Sequence, residues 1–245
     1  KIPSSTSIYP QLLAQDGLKA GGKQYGVPWV WGTSSLFYDE GAGPLDSLAA
    51  MWDPKFKGKV AVVDDPTLNV LLAGLYLGED PQDPDLAKVE KALRDLKANA
   101  KMIYVTVDDL GKALSSKSVQ IGMVASSYVG TLQSQGLKVT YVIPKEGAIG
   151  WIDNWTIVAG TKREQLAYAW IDYITDPATL NRWAADASAG APAPANPKAL
   201  DGLDAAALDR LQAHPETLDN LALQAPMPQD KLQSWIDLWS KVKAA

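Results

Sequence analysis

The chain has 245 residues, 47% of them hydrophobic and 21% charged, which is enough apolar material for one large or two modest globular domains. Its formal net charge is −5 and its cations are scattered, so no nucleic-acid partner is expected. It has no cysteine and a single histidine, His214, which excludes disulfides and thiolate zinc sites and disfavours an imidazole metal centre or a histidine-based triad. No apolar run has the length of a membrane span, and no secretory leader stands at the amino end.

Predicted strands and helices alternate along the chain. Val27 to Phe37 predicts one or two strands, and Lys59 to Val63 predicts a short buried strand followed by a helix that Pro66 opens. Further strands are predicted at 102–105, 119–124, 138–143 and 149–158, and further helices at 67–77, 86–96, 108–114, 162–174 and 232–242, from Ser126 and after Pro177. This alternation predicts an α/β fold with a parallel or mixed sheet covered by helices. The proline-rich segment 189–197 predicts an irregular linker or crossover.

Nine tryptophans accompany only two phenylalanines, and eight of the tryptophans fall into two groups by their spacing. Four at helical spacing are expected in the core: Trp170, Trp183, Trp235 and Trp239. Four in predicted strands near glycines are candidates for lining a cleft: Trp29, Trp31, Trp151 and Trp155. An indole face can attract an ammonium group or pack against methylenes, which is worth about 0.5–2 kcal/mol.

The segment 144–155 carries the most specific pattern. If it is extended, Trp151, Asp153 and Trp155 share one face of the strand, so that an indole and a carboxylate can hold one ammonium group together. The spacing is equally compatible with Asp153 capping a turn beside core aromatics.

Two pairs of polar residues follow predicted strands, on the side where open α/β sheets bind ligands. For Asp64 and Asp65 the position favours an N-cap role over ligand binding by about two to one. Ser126 and Ser127 stand where the free amides of a helix start suit an anion.

Six segments, taken in chain order, resemble the spermidine/putrescine-binding family of periplasmic proteins. They are Tyr25 to Thr33, Trp52 to Lys59, Val62 to Asp65, Ile121 to Met123, Pro144 to Asp153 and Ala191 to Asn196.

The resemblance implies a two-lobed α/β fold of the type II periplasmic-binding class, with hinge crossovers near residues 37–41, 150–153 and 195–199. Lobe one is expected to comprise residues 1–40 and 153–198, and lobe two residues 41–152 and 199–245. Because chains of this family begin earlier, with a signal peptide and further strand-helix units, lobe one is expected to be incomplete here by about two βαβ units.

The resemblance also implies a pocket. In it Trp151 matches an aromatic, Asp153 the amine-binding carboxylate and Asp65 an acidic position. The predicted ligand-binding residues are Trp31, Thr33, Asp65, Ser126, Ser127, Trp151 and Asp153.

Four positions depart from the polyamine-binding pattern. Leu68 stands where a second acid is expected, Tyr128 where putrescine binders have an aspartate, and Ala125 and Ala191 where aromatics are expected. A polyamine carries at least two ammonium groups, and a buried charge without a partner costs several kcal/mol. The expected solute is therefore a short zwitterion such as 4-aminobutyrate, with a polyamine as the alternative and an aminoalkylphosphonate as a weaker one.

The expected function is that of a periplasmic, monomeric solute-binding protein that delivers its solute to the membrane subunits of an ABC importer, without a cofactor or a metal. An enzyme that uses Asp64, Asp65 and Asp153 as acid and base is disfavoured, because the sequence offers no paired nucleophile, phosphate-cradling loop or metal cluster. An iron-binding relative is disfavoured too, since no adjacent tyrosine pair occurs in the later half.

Overall fold

The computed structural model describes residues 2–186, 191–212, 217–218 and 221–245. His214 and the first two residues of the predicted linker, Ala189 and Gly190, lie outside the described residues. Within these ranges no helix is both long enough and apolar enough to cross a membrane.

Strands and helices alternate as predicted, which confirms the α/β class. The strands are β1 (Lys19–Ala20), β2 (Lys23–Gln24), β3 (Gly26–Asp39), β4 (Val60–Val63), β5 (Ala100–Tyr104), β6 (Ile121–Ala125), β7 (Val139–Val142), β8 (Ala148–Thr156), β9 (Ala193–Pro194) and β10 (Leu221–Leu223). The helices are α1 (Pro10–Leu13), α2 (Pro66–Leu77), α3 (Leu86–Asn99), α4 (Val107–Ser115), α5 (Val129–Ser134), α6 (Glu164–Ile174), α7 (Pro177–Ala185), α8 (Ala205–Leu211) and α9 (Gln229–Ala244). Short 3-10 helices include Leu48–Trp52, Ser126–Tyr128 and Pro197–Leu200.

The chain divides into two compact units. Unit 1 consists of Lys1–Gly32 and Gly150–Asp219, and unit 2 of Thr33–Ile149 and Asn220–Ala245. These limits differ from those expected for the lobes, which remain a prediction. The part of β3 after Gly32 pairs with β6 and β7, and so belongs to unit 2. Helix α8 packs against α7, and so belongs to unit 1.

The sheet is mixed. Strand β4 pairs in parallel with β5 and β6, whereas β3 pairs antiparallel with β6, β7 and β9. The hydrogen-bonded order is β10-β8-β3-β6-β4-β5, with β7 and β9 also paired to β3. At Gly122 in β6, an added Cβ would lie 2.5 Å from the Ala61 carbonyl oxygen and 2.9 Å from Phe37 Cε1. Only glycine fits there, because β4 and the Phe37 ring already occupy that space.

The core of unit 2 lies under α2, α3 and α9, which pack against one another. Trp235 and Trp239 of α9 are 1% and 2% exposed, so their prediction as core residues is confirmed. Parallel pairing places the carboxyl ends of β4, β5 and β6 at the same edge of the sheet.

Part of the proline-rich segment in unit 1 is regular, and the prediction of an irregular linker was wrong there. Ala193 and Pro194 form β9, opposite Trp31 and Val30, and Pro197–Leu200 is a 3-10 helix. Proline is tolerated in such a short strand because pairing with one neighbour leaves some positions without a required N–H donor.

Helix α6 of unit 1 also differs from its prediction. Trp170 was expected in the core, but it is 48% exposed and its helix neighbour Leu166 is 62% exposed, and the buried residue of this helix is Ile171. Helical spacing identifies an apolar face but does not reveal whether another element covers it. Trp183 of α7 is half-buried and stacks on Trp29, with 5.6 Å between ring centroids.

We expect Trp235→Ala to lower the free energy of unfolding by about 3–5 kcal/mol, because it leaves a cavity in the core of unit 2. The control Trp170→Ala removes the same side chain from an exposed position and should cost less than about 1.5 kcal/mol. Urea unfolding followed by circular dichroism measures both. Equal losses for the two variants would contradict the assignment of Trp235 to the core.

Candidate functional site

A pocket of about 490 Å³ lies in unit 2 where β4, β5 and β6 end. We call it the strand-end pocket. Its lining residues are Ser34, Val63, Leu68, Tyr104, Val105, Thr106, Val107, Asp108, Met123, Val124, Ala125 and Tyr128. The carboxyl ends of the strands in open α/β sheets are where ligands bind, so this pocket is the candidate site of unit 2.

The walls of the strand-end pocket are mainly aliphatic and aromatic, and Asp108 is the one charged residue among the described residues that line it. The Tyr104 hydroxyl donates a hydrogen bond to the Met123 carbonyl oxygen at 2.7 Å, and burial raises the pKa of Tyr104. Val105 and Tyr128 are 75% and 47% exposed. The pocket therefore offers methylene-sized apolar contacts, an accessible aromatic ring and one carboxylate.

Three of the positions that depart from the polyamine-binding pattern, Leu68, Ala125 and Tyr128, line the strand-end pocket together. The predicted site residues of unit 2 are not among its lining residues, although each is within three residues of one in the sequence. They are Thr33, Asp65, Ser126 and Ser127. Their role in ligand binding stays a prediction.

Thr33 and Ser126 are joined in the interior of unit 2. The Thr33 amide donates to Ser126 Oγ at 3.2 Å, and the Thr33 hydroxyl shares a 2.6 Å hydrogen bond with the Tyr141 hydroxyl. Both Thr33 and Ser126 are 1% exposed. Burial raises the pKa of Tyr141, and the bond to Thr33 opposes this rise.

The helix expected to start at Ser126 and Ser127 begins differently. These residues form a 3-10 turn with Tyr128, and α5 begins only at Val129. The Ser126 hydroxyl accepts the Thr33 amide and so ties this turn to β3. Ser127 is half-buried.

Asp65 is the N-cap of α2, as its position after β4 favours. One carboxylate oxygen, Oδ1, accepts the Leu68 amide at 2.8 Å, and the Asn69 side-chain amide donates to the Asp65 carbonyl oxygen at 2.7 Å. The cap fixes the start of α2 and thereby places Leu68 at the strand-end pocket.

Asp64 has different partners. Its Oδ1 accepts hydrogen bonds from Trp239 Nε1 and Lys243 Nζ, each at 2.7 Å. Burial acts to raise the pKa of Asp64, but the hydrogen bonds from Lys243 and Trp239 outweigh it and the pKa is lowered. Asp64 thus holds α9 against the end of β4, which leaves little capacity for acid–base chemistry.

Asp108 escaped the sequence analysis, although a signal for it was present. It follows β5 by four residues and stands in the first turn of α4, as Asp65 stands at the start of the helix after β4. Applying the same rule to every predicted strand end would have identified it.

In unit 1, Trp151 and Asp153 lie in β8, which is extended as predicted, so their spacing places them on one face of the strand. Asp153 is an exposed residue, yet nearby protein atoms desolvate its carboxylate and raise its pKa. A partly desolvated carboxylate without a cation is poised to gain from an ammonium partner.

Indole rings are grouped in unit 1. Trp29 lies 5.7 Å from Trp155, and Trp155 lies 6.1 Å from Trp170, measured between ring centroids. Trp31 is 1% exposed. In the described part of the chain, the Nε1 atoms of Trp31, Trp151 and Trp155 are buried without a hydrogen-bond partner. Such donors can serve a bound acceptor or an ordered water.

Among the residues that the structure describes, no group of three or more histidine, cysteine, aspartate or glutamate side chains is placed to hold a metal ion. The strand-end pocket of unit 2 instead combines apolar walls, tyrosine rings and one carboxylate, and β8 of unit 1 carries Trp151 and Asp153.

Comparison with known proteins identifies a matching family and several relatives. A family model described as "Bacterial extracellular solute-binding protein" matches residues 1–216. The chain is 26% identical over 186 residues to spermidine/putrescine-binding periplasmic protein 1 of Haemophilus influenzae, covering 74% of this chain and 51% of that protein. It is also 26% identical over 203 residues to the putrescine/agmatine-binding protein of Pseudomonas aeruginosa, covering 74% of this chain and 55% of the relative. The chain thus spans about half the length of these relatives.

Solved structures confirm the expected fold class. The spermidine/putrescine ABC transporter substrate-binding protein PotD of Streptococcus pneumoniae matches with a TM-score of 0.84 and 21% identity, over 98% of this chain and 75% of that one. An ABC transporter from Clostridium perfringens matches with a TM-score of 0.77 and 22% identity, over 98% of this chain and 75% of the other. The expected resemblance to spermidine/putrescine-binding periplasmic proteins is also confirmed.

We expect Asp64→Asn to lower the free energy of unfolding at pH 7, and to lower it progressively less as the pH falls below the ordinary pKa of an aspartate. The carboxylate has a lowered pKa in the folded protein, so its contribution is complete above its unfolded pKa and is lost as the pH falls through the folded pKa. Urea unfolding of both proteins from pH 3 to 7 measures this. Asp95→Asn is the control, because Asp95 pairs with the exposed Lys91, and its effect should be small at every pH. A constant difference for Asp64→Asn across this range would contradict the ion pair.

Proposed function

Since the chain belongs to the bacterial extracellular solute-binding protein family, we propose that it captures a small amine-bearing solute and delivers it to the membrane subunits of an ABC importer. The proposal places the protein in the periplasm as a monomer. It assigns binding rather than catalysis to the protein, with Trp31, Thr33, Asp65, Ser126, Ser127, Trp151 and Asp153 as candidate ligand-binding residues.

The observation that carries the proposal is the placement of Asp153 two residues from Trp151 on the extended strand β8. Desolvation already raises the pKa of Asp153, so a bound ammonium group would offset an existing cost. The neighbouring indole supplies an apolar and electron-rich surface for the carbon chain and the cation.

A polyamine such as putrescine or spermidine is the solute class that the relatives favour. The Haemophilus influenzae relative is named for spermidine and putrescine, and the Pseudomonas aeruginosa relative for putrescine and agmatine. These solutes carry positive charge separated by methylenes, which suits a carboxylate beside an aromatic or apolar surface.

A solute with a carboxylate, such as 4-aminobutyrate, is the second candidate. It is favoured by Leu68 and Tyr128, which stand where polyamine binders have acids. The buried Nε1 atoms of Trp31 and Trp151, which have no partner in the described part of the chain, could donate hydrogen bonds to a carboxylate.

We expect Asp153→Asn to weaken putrescine binding by about 1.5–3 kcal/mol, the usual worth of a hydrogen bond to a charged group, and to leave the thermal midpoint of the free protein nearly unchanged. Titration calorimetry at pH 7 measures the affinity. Asp201→Asn, another exposed aspartate of unit 1, is the control and should bind as the parent does. For the parent, affinity should fall with decreasing pH at a higher pH than an ordinary aspartate would give, because the pKa of Asp153 is raised. Unchanged affinity in Asp153→Asn would assign this residue to structure.

Solute preference distinguishes the two candidates. If the solute is a polyamine, putrescine should bind more tightly than 4-aminobutyrate by at least about 1.4 kcal/mol, a factor of ten. Titration of each solute, and competition between them, measures this difference. Tighter binding of 4-aminobutyrate would favour the zwitterion, and the absence of binding by any small amine would overturn the proposed function.

A further inference from the structure

The charge that lines the strand-end pocket of unit 2 is negative. Its only charged lining residue among those described is Asp108, and no lysine or arginine lines it. Its remaining lining residues are mainly aliphatic, with the rings of Tyr104 and Tyr128, and Asp108 itself is an exposed residue. A ligand part that fits this chemistry is cationic and carries a short aliphatic chain.

The first turn of α4 contains two adjacent acids with different surroundings. Asp109 is held locally, since Thr106 donates its hydroxyl to Asp109 Oδ2 at 2.7 Å and Lys112 Nζ lies 3.8 Å from Asp109 Oδ1. Asp108, its neighbour, lines the pocket instead. Asp109 is thus engaged by Thr106 and Lys112, whereas Asp108 lies at the strand-end pocket and also lines a second pocket beside α4.

This helix start disfavours an anion. Backbone amides at a helix N-terminus attract negative charge, but the first turn of α4 already carries both Asp108 and Asp109. A solute carboxylate brought to this end of the pocket would meet like charge. An ammonium group would meet one carboxylate and the exposed ring of Tyr128.

We propose that the strand-end pocket is an ammonium-binding subsite in which Asp108 supplies the carboxylate and Tyr128 the aromatic face. This inference rests on the proposed function and deepens it. Acids are missing at Leu68, near the start of α2, and at Tyr128, in the turn after β6. Asp108, which follows β5, supplies a carboxylate in their place.

The test measures putrescine binding by titration calorimetry for the parent protein, Asp108→Asn and Asp109→Asn. The two variants remove the same charge from adjacent positions of one helix turn, so general electrostatic effects are matched. Asp108→Asn should weaken putrescine binding at least tenfold, and Asp109→Asn less than threefold. 4-Aminobutyrate, which has a single ammonium group, should not lose affinity in Asp108→Asn by the same factor.

A rescue variant excludes a purely structural effect. Leu68 lines the same pocket and is the third residue of α2, where glutamate is compatible with the helix start capped by Asp65. Adding Leu68→Glu to Asp108→Asn should restore putrescine affinity to within threefold of the parent. The thermal midpoint of each variant shows whether it folds. If Asp108→Asn does not fold, Leu68→Glu alone replaces it in the test, and this variant should bind putrescine more tightly than the parent does.

The outcomes separate the two claims. Putrescine binding that is lost in Asp153→Asn but equal in Asp108→Asn and Asp109→Asn would overturn the subsite and leave the proposed function standing. Failure of the parent to bind any amine would overturn both. Selective weakening in Asp108→Asn with rescue by Leu68→Glu supports the subsite.

Discussion

Hydrogen bonding along the 14 residues of β3 organises both units. Residues 34–38 pair with β6, residues 36–39 pair with β7, and Val30 and Trp31 pair with β9. A buried backbone must satisfy its donors and acceptors, so these neighbours are required wherever β3 is buried. The strand therefore determines the position of β6, and β6 positions β4 and β5 with their carboxyl ends together. Gly122 permits this arrangement, because any side chain at that point would collide with β4.

The carboxylates near the strand ends are divided between structural and available roles. Asp64 holds Trp239 and Lys243 of α9, Asp65 caps α2, and Asp109 bonds to Thr106. Each of these carboxylates accepts a hydrogen bond that stabilises its charged form. Asp108 lies at a cavity instead, and partial burial raises the pKa of Asp153. Candidate ligand-binding acids are thus distinguished by their surroundings rather than by residue type.

Tryptophan serves two purposes in this protein. In unit 2, Trp235 and Trp239 fill the core, and Trp239 also donates a hydrogen bond to Asp64. In unit 1, Trp29, Trp155 and Trp170 form a series of ring contacts that reaches an exposed position on α6. The indole ring can do both because it joins a large apolar surface to one polar donor.

The sequence alone determined the α/β class, the place of most helices and strands, and the family resemblance. Local signals were sufficient there: Asp65 and Pro66 mark the start of α2, and the apolar run 60–63 marks β4. The family resemblance pointed to Asp153 and Trp151 but could not show their surroundings. Only the tertiary structure decided that Ser126 faces Thr33, that Leu166 and Trp170 are exposed on α6, and that Ala193 and Pro194 pair with β3. It also decided that Asp108 shares a pocket with Leu68 and Tyr128. Periodicity reports the apolar face of an element, whereas its neighbours depend on contacts between residues far apart in the chain, and those contacts decide which carboxylate remains available for a solute.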